Sequence, residues 1–271
     1  MGRGIVQMLA QSEVVSFVLW KGRTIERVNQ AKLSINEQWN KLIQKGVFKP
    51  EQIHIFSKKI RSLHDYEEVS SAQCIIEAVS EDILIKQEIF ESLASSLKPE
   101  TILASNTSSL SITELARLVP YPENVVGIHF FNPAPIMKLT EIILGLFTSQ
   151  KTVEWTTSFV KQLQKESVLV KESPGFIVNR ILIPMINEAI CLLAEGIASE
   201  QEIDKAMCLG ANHRIGPFAL ADLIGNDVVL SIMDTLHCET GDPKYRAHPL
   251  LRKIVRGNLL GRKTQKGFYQ Y

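Results

Sequence analysis

The sequence predicts an α/β domain built on an open, mostly parallel sheet, followed by an all-α domain, and three observations carry that prediction. Short apolar runs rich in β-branched residues alternate with amphipathic helical patterns over roughly the first 170 residues, which is the mark of repeated strand, helix, strand units. The tetrapeptide Glu172-Ser173-Pro174-Gly175 then interrupts the chain. Beyond it, every periodic segment has a helical repeat.

Met1 to Ala10 reads as the first turns of a helix and Val14 to Trp20 as a buried strand. From Thr24 to Lys45 the residues Val28, Ala31, Ile35, Trp39 and Leu42 recur at three- and four-residue steps, so a long amphipathic helix is expected, with Lys32, Lys41 and Lys45 on its other face. Gln73 to Val79 reads as a buried strand and Ile83 to Leu97 as a helix. Two more strands, Thr101 to Ala104 and Asn124 to Ile128, bracket a helix that opens with Ser111-Ile112-Thr113-Glu114. At that spacing hydroxyl and carboxylate can each satisfy an orphan backbone donor of the other residue. The apolar run Met137 to Ile143, a helix from Thr152 to Lys165 and a strand from Val168 to Val170 complete the first domain. In the second, Phe176 to Ala194 is apolar nearly all round, as in a helix buried in a core or against another subunit. Helical patterns follow at Glu200 to Leu209, Pro217 to Leu236 and His248 to Arg256.

Composition removes several classes of function. Lys and Arg total 30 against 29 Asp and Glu, for a net charge of +1, and no basic run points to nucleic acid or a membrane surface. A hydrophobic content of 45% supports a substantial core. Cys74, Cys191, Cys208 and Cys238 are widely spaced, without a C-x-x-C pair or a histidine at metal-ligand spacing. They read as reduced buried thiols, and no metal site is expected. No apolar stretch approaches the roughly 18 residues of a membrane span, and the N-terminus lacks a signal-peptide pattern. A cytoplasmic protein is expected.

The chemistry concentrates between residues 102 and 141. In an open parallel sheet, side chains just past the carboxyl ends of strands face the ligand crevice, which places Ser108 and His129 in one cleft. Glu141 is a carboxylate on an otherwise apolar run. An imidazole titrates near neutrality, and a carboxylate beside it fixes its tautomer, which makes a general base. A serine nucleophile requires a strained elbow of the G-x-S-x-G kind, and Ser108 has no flanking glycines, so proton abstraction ranks first.

In order and spacing, the segments ASNTSSLSITELA, GIHFFNPAPIMKLTEII, ESPGFIVNRILIPMINEAI, DKAMCLGANHRIGPFALADLIG and GRKTQKGFYQY resemble those of the short-chain L-3-hydroxyacyl-CoA dehydrogenases, including the 3-hydroxybutyryl-CoA dehydrogenases. The resemblance runs from Met1 to Tyr271. It implies a Rossmann-like dinucleotide-binding domain over residues 1–171 and a helical substrate and dimerisation domain over 172–271. It also implies an acyl-CoA substrate, NAD as cofactor and a homodimer. The family's catalytic positions fall on His129, Glu141, Ser108 and Asn179, and its cofactor contacts on Gly2, Glu81, Lys86, Ser108, Asn132 and Lys263. By spacing alone Glu81 is a helix-start acid and Lys86 a surface lysine. The family uses the Lys41 and Lys45 region for the nucleotide end of coenzyme A, whereas a charged helix face is by default simply solvated.

Two departures stand out. In the family the first helix follows an apolar strand and a G-x-G-x-x-G turn whose last glycine corresponds to Gly2, so the first strand and two glycines are missing from this sequence. Such a strand is central, and its removal leaves two neighbours with unpaired ladder groups. A truncated chain or a start codon assigned too late is the preferred explanation, with a divergent non-catalytic relative second. Further, no acid lies between Glu13 and Glu26 to hold an adenosine ribose. The strand there ends Trp20-Lys21-Gly22-Arg23, and basic residues at that place accommodate a 2′-phosphate, which leaves NADP open beside NAD. The reaction expected is interconversion of an L-3-hydroxyacyl-CoA and a 3-ketoacyl-CoA. The rivals are a related hydroxy-acid or sugar-acid dehydrogenase and a silent acyl-CoA-binding dimer.

Overall fold

A computed structural model describes residues 1–271, the side chain of Glu67 aside. The chain divides into two compact units, Met1–Glu172 and Ser173–Tyr271.

The first unit runs α1 (Gly2–Gln11), β1 (Val18–Trp20), α2 (Ile25–Gln44), α3 (Pro50–Lys59), β2 (Ile60–Ser62), β3 (Cys74–Glu77), α4 (Ile83–Ala94), β4 (Ile102–Ser105), α5 (Ile112–Ala116), β5 (Val125–Phe130), β6 (Leu139–Leu144), α6 (Gln150–Gln162) and β7 (Glu166–Lys171). α2 starts where the Thr24 hydroxyl accepts from the Arg27 amide, and it buries Val28, Ile35 and Trp39 on one face. The central strands β4 and β5 are buried along their whole length, as expected of parallel strands covered on both faces. α3 and β2 lie in a stretch where sequence periodicity marked no element.

Five strands form one sheet in the order β3-β4-β5-β6-β7. β3, β4 and β5 are parallel, β6 runs antiparallel to β5, and β7 is parallel to β6. β1 and β2 form a separate parallel pair. Among the described residues, β1 is paired only with β2 and β3 only with β4, so each presents an open ladder edge. A cleft of about 730 Å³ lies along these two strands, lined by Ile5, Leu9, Val18, Ile76 and Trp155 among others. A single apolar core nevertheless spans both sheets, joining Ile5, Leu9, Val18 and Ile60 to Ala104, Val126 and Ile128.

The helix after β4 is capped differently from its sequence pattern. α5 has five residues, and the Ser111 hydroxyl accepts from the Glu114 amide, while the Glu114 carboxylate takes a hydrogen bond from Gln87 instead of returning one. Close packing sets its position: a Cβ on Gly127 of β5 would lie 2.7 Å from Ile143 Cβ and 3.1 Å from Ile112 Cδ1. Only glycine lets β5 pass this close to α5 and β6.

The second unit is helical: α7 (Val178–Ala194), α8 (Glu200–Gly210), α9 (Pro217–Ile224), α10 (Asn226–Thr240) and α11 (Pro249–Arg256). Its core gathers Ile183, Ile186, Ile190, Phe218, Val229, Met233 and Leu251. The single helix expected over Pro217 to Leu236 is two, because Gly225 has φ +107°, a backbone state open to glycine. Asp222 ties down the chain end by accepting from the Phe268 and Tyr269 amides at 3.0 and 2.9 Å. The thiols are less enclosed than their apolar neighbours suggested: Cys74, Cys191 and Cys208 are half-buried and Cys238 is exposed. Among the described residues, no helix is long and apolar enough to cross a membrane.

Candidate active site

β5 does not end before His129, as the sequence suggested, but runs through it to Phe130. Because β6 returns antiparallel, His129 and Glu141 are direct cross-strand partners. Their side chains therefore project side by side from the same face. His129 Nδ1 lies 2.8 Å from Glu141 Oε2, with the imidazole 9% and the carboxylate 1% exposed. A carboxylate is an acceptor only, so this contact favours the tautomer with its proton on Nδ1. The Phe131 ring flanks the imidazole, with centroids 4.5 Å apart. Asn106, just past β4, accepts from the Phe130 amide at 3.0 Å and ties the ends of the two strands together.

Ser108 sits two residues further along. Its amide and hydroxyl both donate to Glu81 Oε1, at 2.6 and 2.9 Å. Thr107 Oγ1 and the Ser109 amide donate to the same oxygen at 2.6 and 3.1 Å. Burial pushes the Glu81 carboxyl up, but the Thr107 hydroxyl, the Lys86 ammonium and the Ser108 donors outweigh it and hold the group below the usual carboxylate range. Glu81 is thus the staple of the turn that carries Ser108.

Lys86 is not a surface lysine. Its side chain is fully enclosed, and Nζ lies 2.8 and 2.9 Å from the two oxygens of Glu77 and 3.5 Å from Glu81 Oε2. Sequence reading missed Glu77, although an acid inside the apolar run Cys74 to Val79 is the same signal that singled out Glu141. It also missed Lys165, whose buried ammonium donates to the Ala134 and Met137 carbonyls at 2.7 and 2.6 Å. That clamp holds the β5–β6 connection, on which Asn132 is exposed immediately after β5.

In the helical unit, Asn179 is the second residue of α7. Next to it, Arg180 Nε donates to the Tyr245 hydroxyl at 3.2 Å. Asn187, in the same polar stripe, is structural: it is buried, and its Oδ1 accepts from the His248 amide at 2.8 Å. Lys263 Nζ pairs with Asp227 at 2.5 Å, at an exposed position. Among the described residues, no three His, Cys, Asp or Glu side chains form a metal-holding group.

A largely parallel α/β sheet with a buried imidazole-carboxylate pair across β5 and β6 is an arrangement suited to moving a proton. Residues 1–173 match the family model described as 3-hydroxyacyl-CoA dehydrogenase, NAD binding domain, and residues 175–271 match the corresponding C-terminal domain. The chain belongs to the 3-hydroxyacyl-CoA dehydrogenase family, whose members are NAD-dependent oxidoreductases. It is 50% identical over 272 residues to a 3-hydroxybutyryl-CoA dehydrogenase of Clostridioides difficile, covering all of this chain and 96% of that one. It is 37% identical to the mitochondrial hydroxyacyl-coenzyme A dehydrogenase of Sus scrofa, again over the whole chain and 88% of the relative. Among solved structures, an (S)-3-hydroxybutyryl-CoA dehydrogenase from Ralstonia eutropha superposes with a TM-score of 0.95 at 41% identity, covering 100% of this chain and 95% of that one.

The residues present fit NAD. α1 begins at Gly2, and a Cβ there would lie 3.6 Å from the Ala78 carbonyl oxygen, just past the carboxyl end of β3. The first-turn amides of a ten-residue helix therefore open at the crevice end of the sheet, where they would hold a pyrophosphate with backbone donors and the helix dipole. The basic strand end is partly engaged elsewhere, since Lys21 Nζ stands 5.6 Å over the Tyr66 ring.

Proposed function

We propose that this protein interconverts an L-3-hydroxyacyl-CoA and the 3-ketoacyl-CoA with NAD, and that a short acyl chain such as 3-hydroxybutyryl is its substrate. The observation that carries the reading is the 2.8 Å contact between His129 Nδ1 and Glu141 in a cross-strand pair. NAD, when bound, supplies the nicotinamide ring that exchanges hydride with carbon 3. His129 Nε2 takes the proton of the 3-hydroxyl in the oxidative direction and returns it in the reductive one. Glu141 holds the ring in the productive tautomer and stabilises the imidazolium that forms. A positioned base of this kind contributes about 10²- to 10⁴-fold. Ser108 and Asn179 orient the hydroxyl and thioester oxygens, and Asn132 faces the nicotinamide side. Gly2, Glu81 and Lys263 serve the cofactor.

The names of the similar proteins support the short-chain substrate. The family description favours NAD over NADP. Exposed Ile181, Ile197 and Leu209 on the helical unit support a homodimer formed through it. Cytoplasmic residence accords with four free cysteines.

The test is turnover of acetoacetyl-CoA with NADH, compared with a free sugar acid as alternative substrate, in the parent and in His129→Gln. Turnover of acetoacetyl-CoA that falls steeply in His129→Gln with little change in KM supports the reading. Preference for the sugar acid would move the chain to a related dehydrogenase, and absence of NAD uptake by calorimetry would make it a silent relative.

A further inference from the structure

Glu77 ends β3 with its side chain 1% exposed and every oxygen engaged. Oε1 accepts from the Val79 amide at 2.6 Å and from Lys86 Nζ at 2.8 Å. Oε2 accepts from Ser105 Oγ at 2.6 Å and from the same Nζ at 2.9 Å. Lys86, on α4, turns its remaining direction to Glu81 Oε2 at 3.5 Å. The other oxygen of Glu81 collects the donors of Thr107, Ser108 and Ser109. One continuous polar path thus leads from a carboxylate at the end of β3, through an enclosed ammonium, to the turn after β4.

Stability alone does not call for this arrangement. An enclosed ion pair costs several kcal/mol to desolvate, and apolar residues of similar volume usually serve a core as well or better. The placement of the ammonium is what an apolar pair could not reproduce. Lys86 lies behind Glu81, whose side chain is 32% exposed, and its ammonium 3.5 Å from Oε2 draws that oxygen inward while Oε1 faces the Ser108 and Ser109 amides. Without that cation only the donors on Oε1 would hold a carboxylate that already reaches water, and the turn's common acceptor would be less firmly placed.

We propose that Glu77 is a positioning residue: it fixes the Lys86 ammonium, and through Lys86 and Glu81 it sets the orientation of Ser108. The functional half of this statement rests on the role of Ser108 given above; the structural half does not.

Two measurements separate them. Hydrogen exchange by mass spectrometry over residues 105–110 reads the turn directly. In Glu77→Gln, and in the double variant Glu77→Gln/Lys86→Met, the Ser108 and Ser109 amides should exchange about tenfold faster, the scale of one lost charge-assisted hydrogen bond. A segment of the helical unit, residues 226–240, should keep the parent rate. The double variant removes both charges together, so it remains folded if the single variant does not. Turnover of acetoacetyl-CoA with NADH should fall about tenfold in kcat in the double variant, with KM within about twofold and the melting temperature close to the parent. Glu77→Asp should restore part of the loss. Parent-like exchange at Ser108 and Ser109 in the folded double variant overturns the proposal. If the parent itself shows no turnover, the proposed function fails, and the exchange result still decides the role of Glu77.

Discussion

Replacing Glu141 by glutamine removes one charge and leaves the shape of the side chain. The carboxylate touches His129 Nδ1 at 2.8 Å in a site that is almost dry, with Glu141 1% exposed. With charge centres about 4 Å apart and an effective dielectric constant near 20, the attraction between imidazolium and carboxylate is about 4 kcal/mol. A neutral amide oxygen in the same place returns about 1 kcal/mol as an ordinary hydrogen bond. The remaining ~3 kcal/mol is felt only when the ring is charged, that is, as the proton moves, and corresponds to a loss in kcat of about two orders of magnitude. An amide nitrogen turned toward the ring would cost more, because the imidazole would then carry its proton on Nε2 and cease to be a base. The assay is NADH consumption with acetoacetyl-CoA at saturation, with KM measured in parallel and far-UV circular dichroism as the control for folding. A folded Glu141→Gln enzyme within about threefold of the parent kcat would refute the reasoning, since the charge would then do nothing in the step it is argued to serve.

The remaining predictions concern the rest of the site and the sheet beneath it. Glu81 is held below its ordinary value of 4.5, so its contribution to stability is complete above that pH and is lost as pH falls through the lower folded value. Thermal unfolding of the parent and Glu81→Gln followed from about pH 6 to 3 should therefore show the parent's advantage shrinking with acid; a constant gap would contradict it. Burial pushes the Cys74 thiol up to about 12, although the residue lines the cleft beside β3. A thiol reagent at neutral pH should label exposed Cys238 first and Cys74 far more slowly, as mapped by mass spectrometry, because the thiolate is the reacting form. Gly127→Ala would drive a Cβ to 2.7 Å from Ile143 Cβ, a branch atom that cannot swing aside. Overpacking of this kind costs about 1–3 kcal/mol, which urea unfolding would register as a lower midpoint.

The His129–Glu141 contact was foreshadowed because both residues interrupt apolar runs. His129 and Glu141 are polar groups at apolar runs, and strand-end logic expects Ser108 and His129 in one crevice without any structure. What periodicity does not encode is strand direction. The pattern of Met137 to Ile143 reads the same whether β6 is parallel or antiparallel to β5, and only the antiparallel choice makes His129 and Glu141 register partners. Lys86 was illegible for a related reason: the helical repeat assigns it to a face, but its burial depends on an acid nine residues earlier on a different element. Gly225 shows a third limit, since a glycine within a helical pattern does not announce a φ of +107° until the two helices are seen to part there.

The imidazole-carboxylate pair and the start of α1 rest on different parts of the first unit. His129 and Glu141 belong to β5 and β6, inner strands of the five-stranded sheet, paired on both sides by β4 and β7. The proton-handling geometry is therefore set by strands outside the cleft lining, although the same apolar core backs both. The start of α1, by contrast, is part of the cleft wall through Gly2 and Ile5, and so are Val18 and Ile76 on the two open strand edges. A dinucleotide held at the first turn of α1 depends on how firmly that helix is seated, and the seat is the part of the core with unpaired strands on either side. Truncating Val18 or Ile76 to alanine should accordingly raise KM for NADH more than it lowers kcat at saturating cofactor. The reverse pattern, an unchanged KM with a lowered kcat, would mean that the cleft and the imidazole-carboxylate pair are coupled through the sheet.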